Sequence, residues 1–283
     1  MVFLLSYTCS FAAENREGVD VFNYLKPVVF QIKTAISETA PKSSYGTGFV
    51  VRKNGLLLTN FHVVAESILE PERYRVFLVD GNQTMLAEVL LVNPVNDLAL
   101  IRVKRNFPLE MEISADMPAQ GAPIYSIGMP EDLNMSIVNG TYNGILHEGP
   151  YSKIHMSSPI NPGMSGGPTV DFRGKLIGVN VSKLIFASNI SFSVPKDFAS
   201  QLLNTWDAKP NKDSTTPPIA FEADIARQLQ EAGSEIVKSL KAPDVATRKF
   251  GAWKIPGLPK EFHCWSDTLP PIKEKKFSIT KET

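Results

Sequence analysis

The stretch NPGMSGGPT, residues 161–169, sets one serine, Ser165, among three glycines with a proline on either side. A core strand wants bulk there, and a plain linker needs no rigid bend. Glycine permits φ > 0 and lets backbone N–H groups approach a bound atom without a Cβ in the way. A hydroxyl held on such a turn can be a nucleophile, with the flanking N–H groups stabilising the oxyanion formed when it attacks a carbonyl. A β-turn between two strands is the plainer alternative, and the turn alone does not choose between them. A serine nucleophile needs a base, and the base needs an acid to orient it.

Four histidines are available as the base. His62 lies in LLLTNFHVVAES, at the end of an apolar strand where a turn or short helix begins, a rigid place for a functional side chain. His147 follows a glycine-bearing turn, His155 lies in an alternating strand, and His263 falls in the C-terminal stretch. An isolated histidine is most often a satisfied surface or core residue. For the acid, Asp97 stands in NPVNDLALIRV, directly before the apolar run LALI. A carboxylate buried there needs a partner. It either caps a turn at a strand start or receives the imidazole N–H of His62.

From residue 45 to about 200 the chain is a series of short β-branched runs between turn signals, among them FVVRKNGLLLTN, LALIRVK, APIYSIGMP and KLIGVNVS. Asn54-Gly55 and Asp80-Gly81 are strong hairpin turns. Many short strands with few helices predict an all-β sandwich or a pair of barrels. Residues 19–37 read as helix and then strand with a break at Pro27, and FASQLLNTW, 198–206, reads as a closing helix.

The 283 residues, 43% of them hydrophobic, suffice for one large domain or two smaller ones. The formal net charge of zero gives no basic footprint, so no nucleic-acid partner is expected. Cys9 and Cys264 lie near opposite ends, and no CxxC pattern exists, so neither a disulfide framework nor a metal or other cofactor is expected. The opening run MVFLLSYTCSFAA reads as a secretory signal over residues 1–13, although it lacks a basic first region; an N-terminus docked on the core is the alternative. No later segment has the ~18 consecutive apolar residues of a membrane span, so no integral membrane segment is expected in the mature chain.

Four segments, in order, resemble the trypsin-like serine peptidases and most closely the HtrA/Deg type: GTGFVV at 46–51, LLTNFHVV at 57–64, NDLALIRV at 96–103 and INPGMSGGP at 160–168. The resemblance covers roughly residues 28–205. It implies two six-stranded antiparallel β-barrels of the chymotrypsin-like kind, with the active site in the cleft between them. It also implies a catalytic triad of Ser165, His62 and Asp97, with the N–H groups of Gly163 and Ser165 as the oxyanion hole. The peptidase domain would span 19–206, followed by a polar linker at 207–218 and a helical, then irregular, tail at 219–283.

The sequence departs from the family in two places. Met164 precedes the nucleophile, where digestive relatives carry an aspartate that pairs with a new N-terminus and HtrA proteins usually carry asparagine. Methionine makes no such ion pair, which bears on how firmly the oxyanion hole is preformed. The second departure is the stretch after residue 205, which shows no strand-rich pattern of the PDZ domain that commonly follows in HtrA proteins. Instead Phe221, Ile225, Leu229, Ala232, Ile236 and Leu240 recur at helical spacing, a face that either docks on the protease body or binds a partner helix.

The expected function is an extracytoplasmic serine endopeptidase, periplasmic or secreted, acting on polypeptides through an acyl-enzyme. The alternative is a catalytically silent, protease-like binding module. The oligomeric state is not legible. The family's specificity pocket maps onto Ser158-Pro159-Ile160 and onto Ile190-Ser191-Phe192, the latter matched to a strand that also pairs with the substrate backbone. Pro159 stands six residues before Ser165, where an Arg- or Lys-cleaving enzyme carries a carboxylate. With Ile160, Ile190 and Phe192 around it, the pocket would be shallow and apolar. That predicts cleavage after small or medium aliphatic residues, which unfolded or misfolded proteins expose. The sequon at Asn180, within an apolar strand, is taken as a chance match.

Overall fold

The structure is a computed structural model that describes residues 18–130, 133–148, 151–183, 190–209, 218–240, 247–250 and 253–256. Helix α1 (Gly18–Leu25) runs into a 3-10 turn at Lys26–Val28 that contains Pro27, and β1 (Val29–Ala35) follows. The ring of Pro27 fixes φ and removes an N–H, so the α-helix stops where the sequence places its break.

The first barrel continues with β2 (Ser44–Arg52), β3 (Leu56–Thr59), β4 (Arg75–Asp80), β5 (Gln83–Asn93) and β6 (Leu98–Val103). They close in the order β1-β2-β3-β6-β5-β4. β1 pairs antiparallel with both β2 (Val29 opposite Phe49) and β4 (Gln31 opposite Val79). The β2–β3 and β4–β5 hairpins turn at Asn54-Gly55 and Asp80-Gly81, with Gly55 at φ 96° and Gly81 at φ 58°. L-residues with a Cβ rarely adopt that left-handed region. The barrel is filled by fully buried Phe49, Leu57, Leu58, Leu98, Leu100 and Ile101.

The second barrel is built from β7 (Pro123–Gly128), β8 (Ser136–Glu148), β9 (Tyr151–Met156), β10 (Pro168–Asp171), β11 (Leu176–Lys183) and β12 (Ser191–Pro195). It closes in the order β10-β11-β12-β9-β8-β7. The expected pair of six-stranded antiparallel barrels is therefore borne out. Closure leaves neither sheet an open edge.

Helix α3 (Lys196–Asp207) is the expected closing helix, and it buries Ala199, Leu202, Leu203 and Trp206 in a cluster that holds residues of both barrels. Helix α4 (Pro218–Leu240) confirms the amphipathic spacing as a helix. Phe221 is buried, Ile225 packs on the same core, and Gln228 Nε2 donates to the Val92 carbonyl of β5 at 3.0 Å. Burying one phenylalanine contributes about 1.5–3 kcal/mol, enough to seat the N-terminal half of α4 on the first barrel. Further along α4, Leu229 and Val237 remain exposed. A hairpin of β13 (Thr247–Phe250) and β14 (Trp253–Pro256) lies in the stretch to which the sequence assigned no structure. The run expected to be a secretory signal, both cysteines and His263 lie outside the described residues.

Candidate active site

Helix α2 (Phe61–Leu69) starts directly after β3, so His62 lies in its first turn. The first N–H groups of a helix have no partner within it. Asn60, the residue before α2, is extended (φ −82°, ψ 151°) and makes no side-chain cap. The cap comes from 35 residues away: His62 N–H donates to Asp97 Oδ1 at 2.9 Å. The other oxygen, Oδ2, lies 2.7 Å from His62 Nδ1. An ionised carboxylate only accepts, so the ring donates from Nδ1, and whenever the imidazole is neutral that tautomer leaves the lone pair on Nε2. Asp97 thus grips His62 at two points, on the backbone and on the ring.

That grip requires an unusual backbone. Asp97 has φ 53°, and among the described residues no other non-glycine has positive φ. The left-handed region costs an L-residue roughly 1–2 kcal/mol, least for Asp and Asn. Asn60 Nδ2 donates to the Asp97 carbonyl at 2.7 Å and holds the conformation. Strain kept at one residue by its neighbours is a mark of functional sites. The Asp97 side chain is 24% exposed and that of His62 48%, so the acid is screened while the base stays within reach of a substrate.

Ser165 sits on two successive tight turns. Met164 N–H donates to the Asn161 carbonyl at 3.0 Å, and Gly167 N–H donates to the Met164 carbonyl at 3.1 Å. Gly163 (φ 90°) and Gly166 (φ 84°) take the left-handed positions that these turns demand. A Cβ on Gly166 would lie 2.2 Å from the Thr47 carbonyl oxygen and 2.9 Å from Asn60 N. The glycine content of the opening motif therefore has a tertiary cause: the turn is pressed against β2 and the start of α2, next to His62. Among the described residues, the N–H groups of Gly163 and Ser165 have no protein acceptor.

The Ser165 hydroxyl donates to the Val181 carbonyl at 2.8 Å and not to His62. Val181 sits where the β11–β12 register shifts, between Asn180 and Ser182. This bulge leaves its carbonyl out of the ladder and available to Ser165. Val181 and Asp97 both border a cavity of about 210 Å³, which ties the serine's acceptor to the histidine's partner across the two barrels. Releasing Ser165 from Val181 costs one hydrogen bond, on the order of 1 kcal/mol.

Met164 is fully buried in a second-barrel cluster with Ile124, Tyr142, Ile154, Met156, Ile160 and Ile177. Gly128 makes room, since a Cβ there would come within 2.7 Å of Met164 Cα. The residue before the serine is thus an apolar anchor for the turn, where an ion-pairing relative would use charge. Asn180 is also fully buried; its Nδ2 donates to the Ile127 and Met164 carbonyls at 3.0 and 3.3 Å, and its Oδ1 accepts from Thr169 Oγ1 at 2.6 Å. Its side chain has no room for a glycan in this fold.

The residues expected around the specificity pocket are placed unevenly. Ile160 and Ser191 are buried together, with Ile160 N–H donating to Ser191 Oγ at 3.4 Å. Ile190 and Phe192 are half-buried, and the Phe192 ring lies 6.2 Å from that of His155. Pro159 is exposed and lines a cavity of about 740 Å³ with Gly18 and Phe22 of α1, Tyr125 and part of β8. One expectation is corrected. Ser191 and Phe192 cannot pair with a substrate backbone, because β12 is hydrogen-bonded to β11 on one side and to β9 on the other. Sequence reasoning also missed the Val181 carbonyl and the hydroxyls of Thr47 and Thr59. Thr47 stands inside the quoted GTGFVV segment, yet its hydroxyl bonds Gly163 and Met129, 116 and 82 residues away, and those contacts leave no local signal. His147 bonds Ser152 Oγ across the β8–β9 hairpin at 2.9 Å, and His155 faces Phe192; neither joins the Asp97 site.

Two closed barrels, with the serine turn pressed on β2 and the residue before α2, are the architecture of a trypsin-like peptidase domain, and residues 46–179 match the family described as "Trypsin-like peptidase domain". The domain is homologous to the HtrA and DegP serine proteases. The chain is 36% identical over 177 residues to "Serine protease HTRA2, mitochondrial" of Bos taurus, covering 59% of this chain and 37% of that protein. It is 30% identical over 171 residues to the "Probable periplasmic serine endoprotease DegP-like" of Pseudomonas fluorescens, covering 57% and 34%. In both cases the chain corresponds to little more than a third of the relative's length. The crystal structure of the serine endoprotease from Yersinia pestis shares the fold, with TM-score 0.56 at 22% identity over 65% of this chain and 64% of that one. Among the described residues no helix is long and apolar enough to cross a membrane.

Proposed function

We propose that this protein is a serine endopeptidase that hydrolyses peptide bonds through Ser165, His62 and Asp97. The observation that carries this reading is the two-point hold of Asp97 on His62, in the first turn of a helix whose preceding residue, Asn60, is packed against the glycine-cut turn bearing Ser165. Ser165 Oγ attacks the scissile carbonyl and His62 takes its proton, later returning it to the leaving amine. Asp97 fixes the tautomer and stabilises the imidazolium. The N–H groups of Gly163 and Ser165 receive the developing oxyanion. The acyl-enzyme is then hydrolysed by water activated by the same histidine.

The substrate class is polypeptide, unfolded or misfolded, with a small or medium aliphatic residue before the cut. The absence of a carboxylate six residues before Ser165 supports this preference, since an Arg or Lys side chain would lose hydration without gaining a counter-charge. A peptide-library digest tests it, and a dominant Arg or Lys signal before the cut refutes it. An extracytoplasmic location is part of the same reading, supported by the apolar N-terminal run and by relatives named as probable periplasmic endoproteases.

One observation favours a second reading, a silent protease-like binding module: the serine hydroxyl is engaged by Val181 and not by the base. A fluorophosphonate probe separates the two. Labelling of Ser165 that is lost in Ser165→Ala and strongly reduced in His62→Ala supports the peptidase. No labelling of the intact protein supports the silent module.

A further inference from the structure

Thr47 is fully buried on β2 of the first barrel, yet every polar group it owns is spent on the serine turn or its neighbours. Its N–H donates to the Ser165 carbonyl at 2.7 Å. Its carbonyl accepts from Thr59 Oγ1, also at 2.7 Å. Its hydroxyl donates to the Gly163 carbonyl at 2.7 Å and accepts from Met129 N–H, just after β7, at 2.8 Å. The backbone bonds would survive any side chain that fits. The two hydroxyl bonds belong to Thr or Ser alone.

The geometry of the peptide plane makes the hydroxyl bond consequential. The plane joining Gly163 to Met164 lies between the two planes that carry the Gly163 and Ser165 N–H groups. Its carbonyl is held by Thr47 Oγ1, and its N–H is held by the Asn161 carbonyl. A plane pinned at both ends cannot rotate, so its neighbours on either side keep their aim. Gly163 is the residue most able to lose that aim, because glycine at φ 90° has conformational alternatives open to it that other residues lack. From the second barrel, Asn180 Nδ2 and Gly167 N–H hold the next carbonyl, that of Met164.

We infer that Thr47 is a positioning residue for the oxyanion-binding N–H groups: its hydroxyl, reaching across from the first barrel, locks the Gly163–Met164 peptide so that both donors face the reacting carbonyl. The inference rests on the peptidase reading above. Thr47 touches no reacting atom and acts through Gly163.

Thr47→Val keeps the shape and both backbone bonds and removes only the hydroxyl. Losing an oxyanion donor outright costs roughly 10²–10³ in kcat, so loosening one by removing its support should cost about 10- to 100-fold. KM should stay within about threefold, because the N–H groups act mainly on the transition state. Affinity for a peptide boronic acid, which mimics the tetrahedral state, should fall in step with kcat/KM. Thr47→Ser, which restores the hydroxyl, should recover activity to within about threefold. Because Val strands the Met129 N–H and the Gly163 carbonyl, Thr47→Cys is measured alongside; its weak donor in a similar volume should give an intermediate kcat. Wild-type kcat and boronate affinity in Thr47→Val overturn the inference, and if Val does not fold, wild-type values in Thr47→Cys do so. A loss carried wholly by KM, or one that Ser does not repair, also overturns it. Fluorophosphonate labelling of the wild type is the control: an unlabelled wild type defeats the peptidase reading itself, whereas a labelled wild type beside an unaffected Thr47→Val defeats only the role of Thr47.

Discussion

Asp97→Asn separates the two things Asp97 does for His62. Asparagine is nearly isosteric, and its Oδ1 can still accept the His62 backbone N–H that Asp97 now accepts at 2.9 Å. Asn and Asp tolerate the left-handed region about equally, so the backbone at φ 53° is preserved. What changes is the atom 2.7 Å from the ring, where an amide N–H replaces a carboxylate oxygen. An N–H opposite Nδ1 requires Nδ1 to accept, which moves the ring proton to Nε2. His62 then has no lone pair to offer Ser165. The loss expected for that tautomer error is about 10⁴ in kcat, or ~5.5 kcal/mol of transition-state stabilisation. Stability should change little: one charge-assisted bond is exchanged for a neutral one at a partly exposed pair, about 1 kcal/mol or less. Asp97→Ala makes the contrast, since it also removes the cap on α2, about 1 kcal/mol, and places a β-carbon without a polar anchor in the left-handed region. The assay is kcat/KM on an unfolded protein substrate together with the fluorophosphonate labelling rate and a thermal melt for each variant. If Asp97→Asn stays within about tenfold of wild type, or its melt collapses like that of Asp97→Ala, the two-point hold is not what sets the tautomer and the mechanism is wrong.

Three further outcomes are expected. Ser165→Ala should abolish turnover, by about 10⁶ in kcat if the triad behaves as a unit, while losing only the hydrogen bond to Val181; adding His62→Ala should cost little more, and an active Ser165→Ala in the same peptide assay would point to another nucleophile. Gly166→Ala should destabilise by more than ~3 kcal/mol, because a left-handed φ combines with a Cβ 2.2 Å from the Thr47 carbonyl oxygen; a wild-type melting temperature would show that the turn is looser than described. The kcat/KM profile should rise with pH along a single-proton limb, because protonated His62 cannot accept the Ser165 proton, and activity confined to strongly acidic pH would exclude this base.

Much of this protein is legible before it folds. The hairpins at Asn54-Gly55 and Asp80-Gly81, the break at Pro27 and the α3 and α4 helices follow from local backbone preferences and from the spacing of apolar residues, which a reader can see within a window of a few residues. His62, Asp97 and Ser165 stand out because each sits at the edge of an apolar strand in a setting that bulk packing does not explain. Tertiary structure alone decides where a hydroxyl or a carbonyl points once distant strands meet. Ser165 facing the Val181 carbonyl depends on a one-residue bulge in β11, Pro159 facing α1 on how the chain enters the second barrel, and β12 losing any free edge on barrel closure. Thr47 is the clearest case: Gly163 lies 116 residues from it in the chain and 2.7 Å from its hydroxyl in the fold, a contact that no pattern of neighbouring residues encodes because it exists only where the two barrels press together.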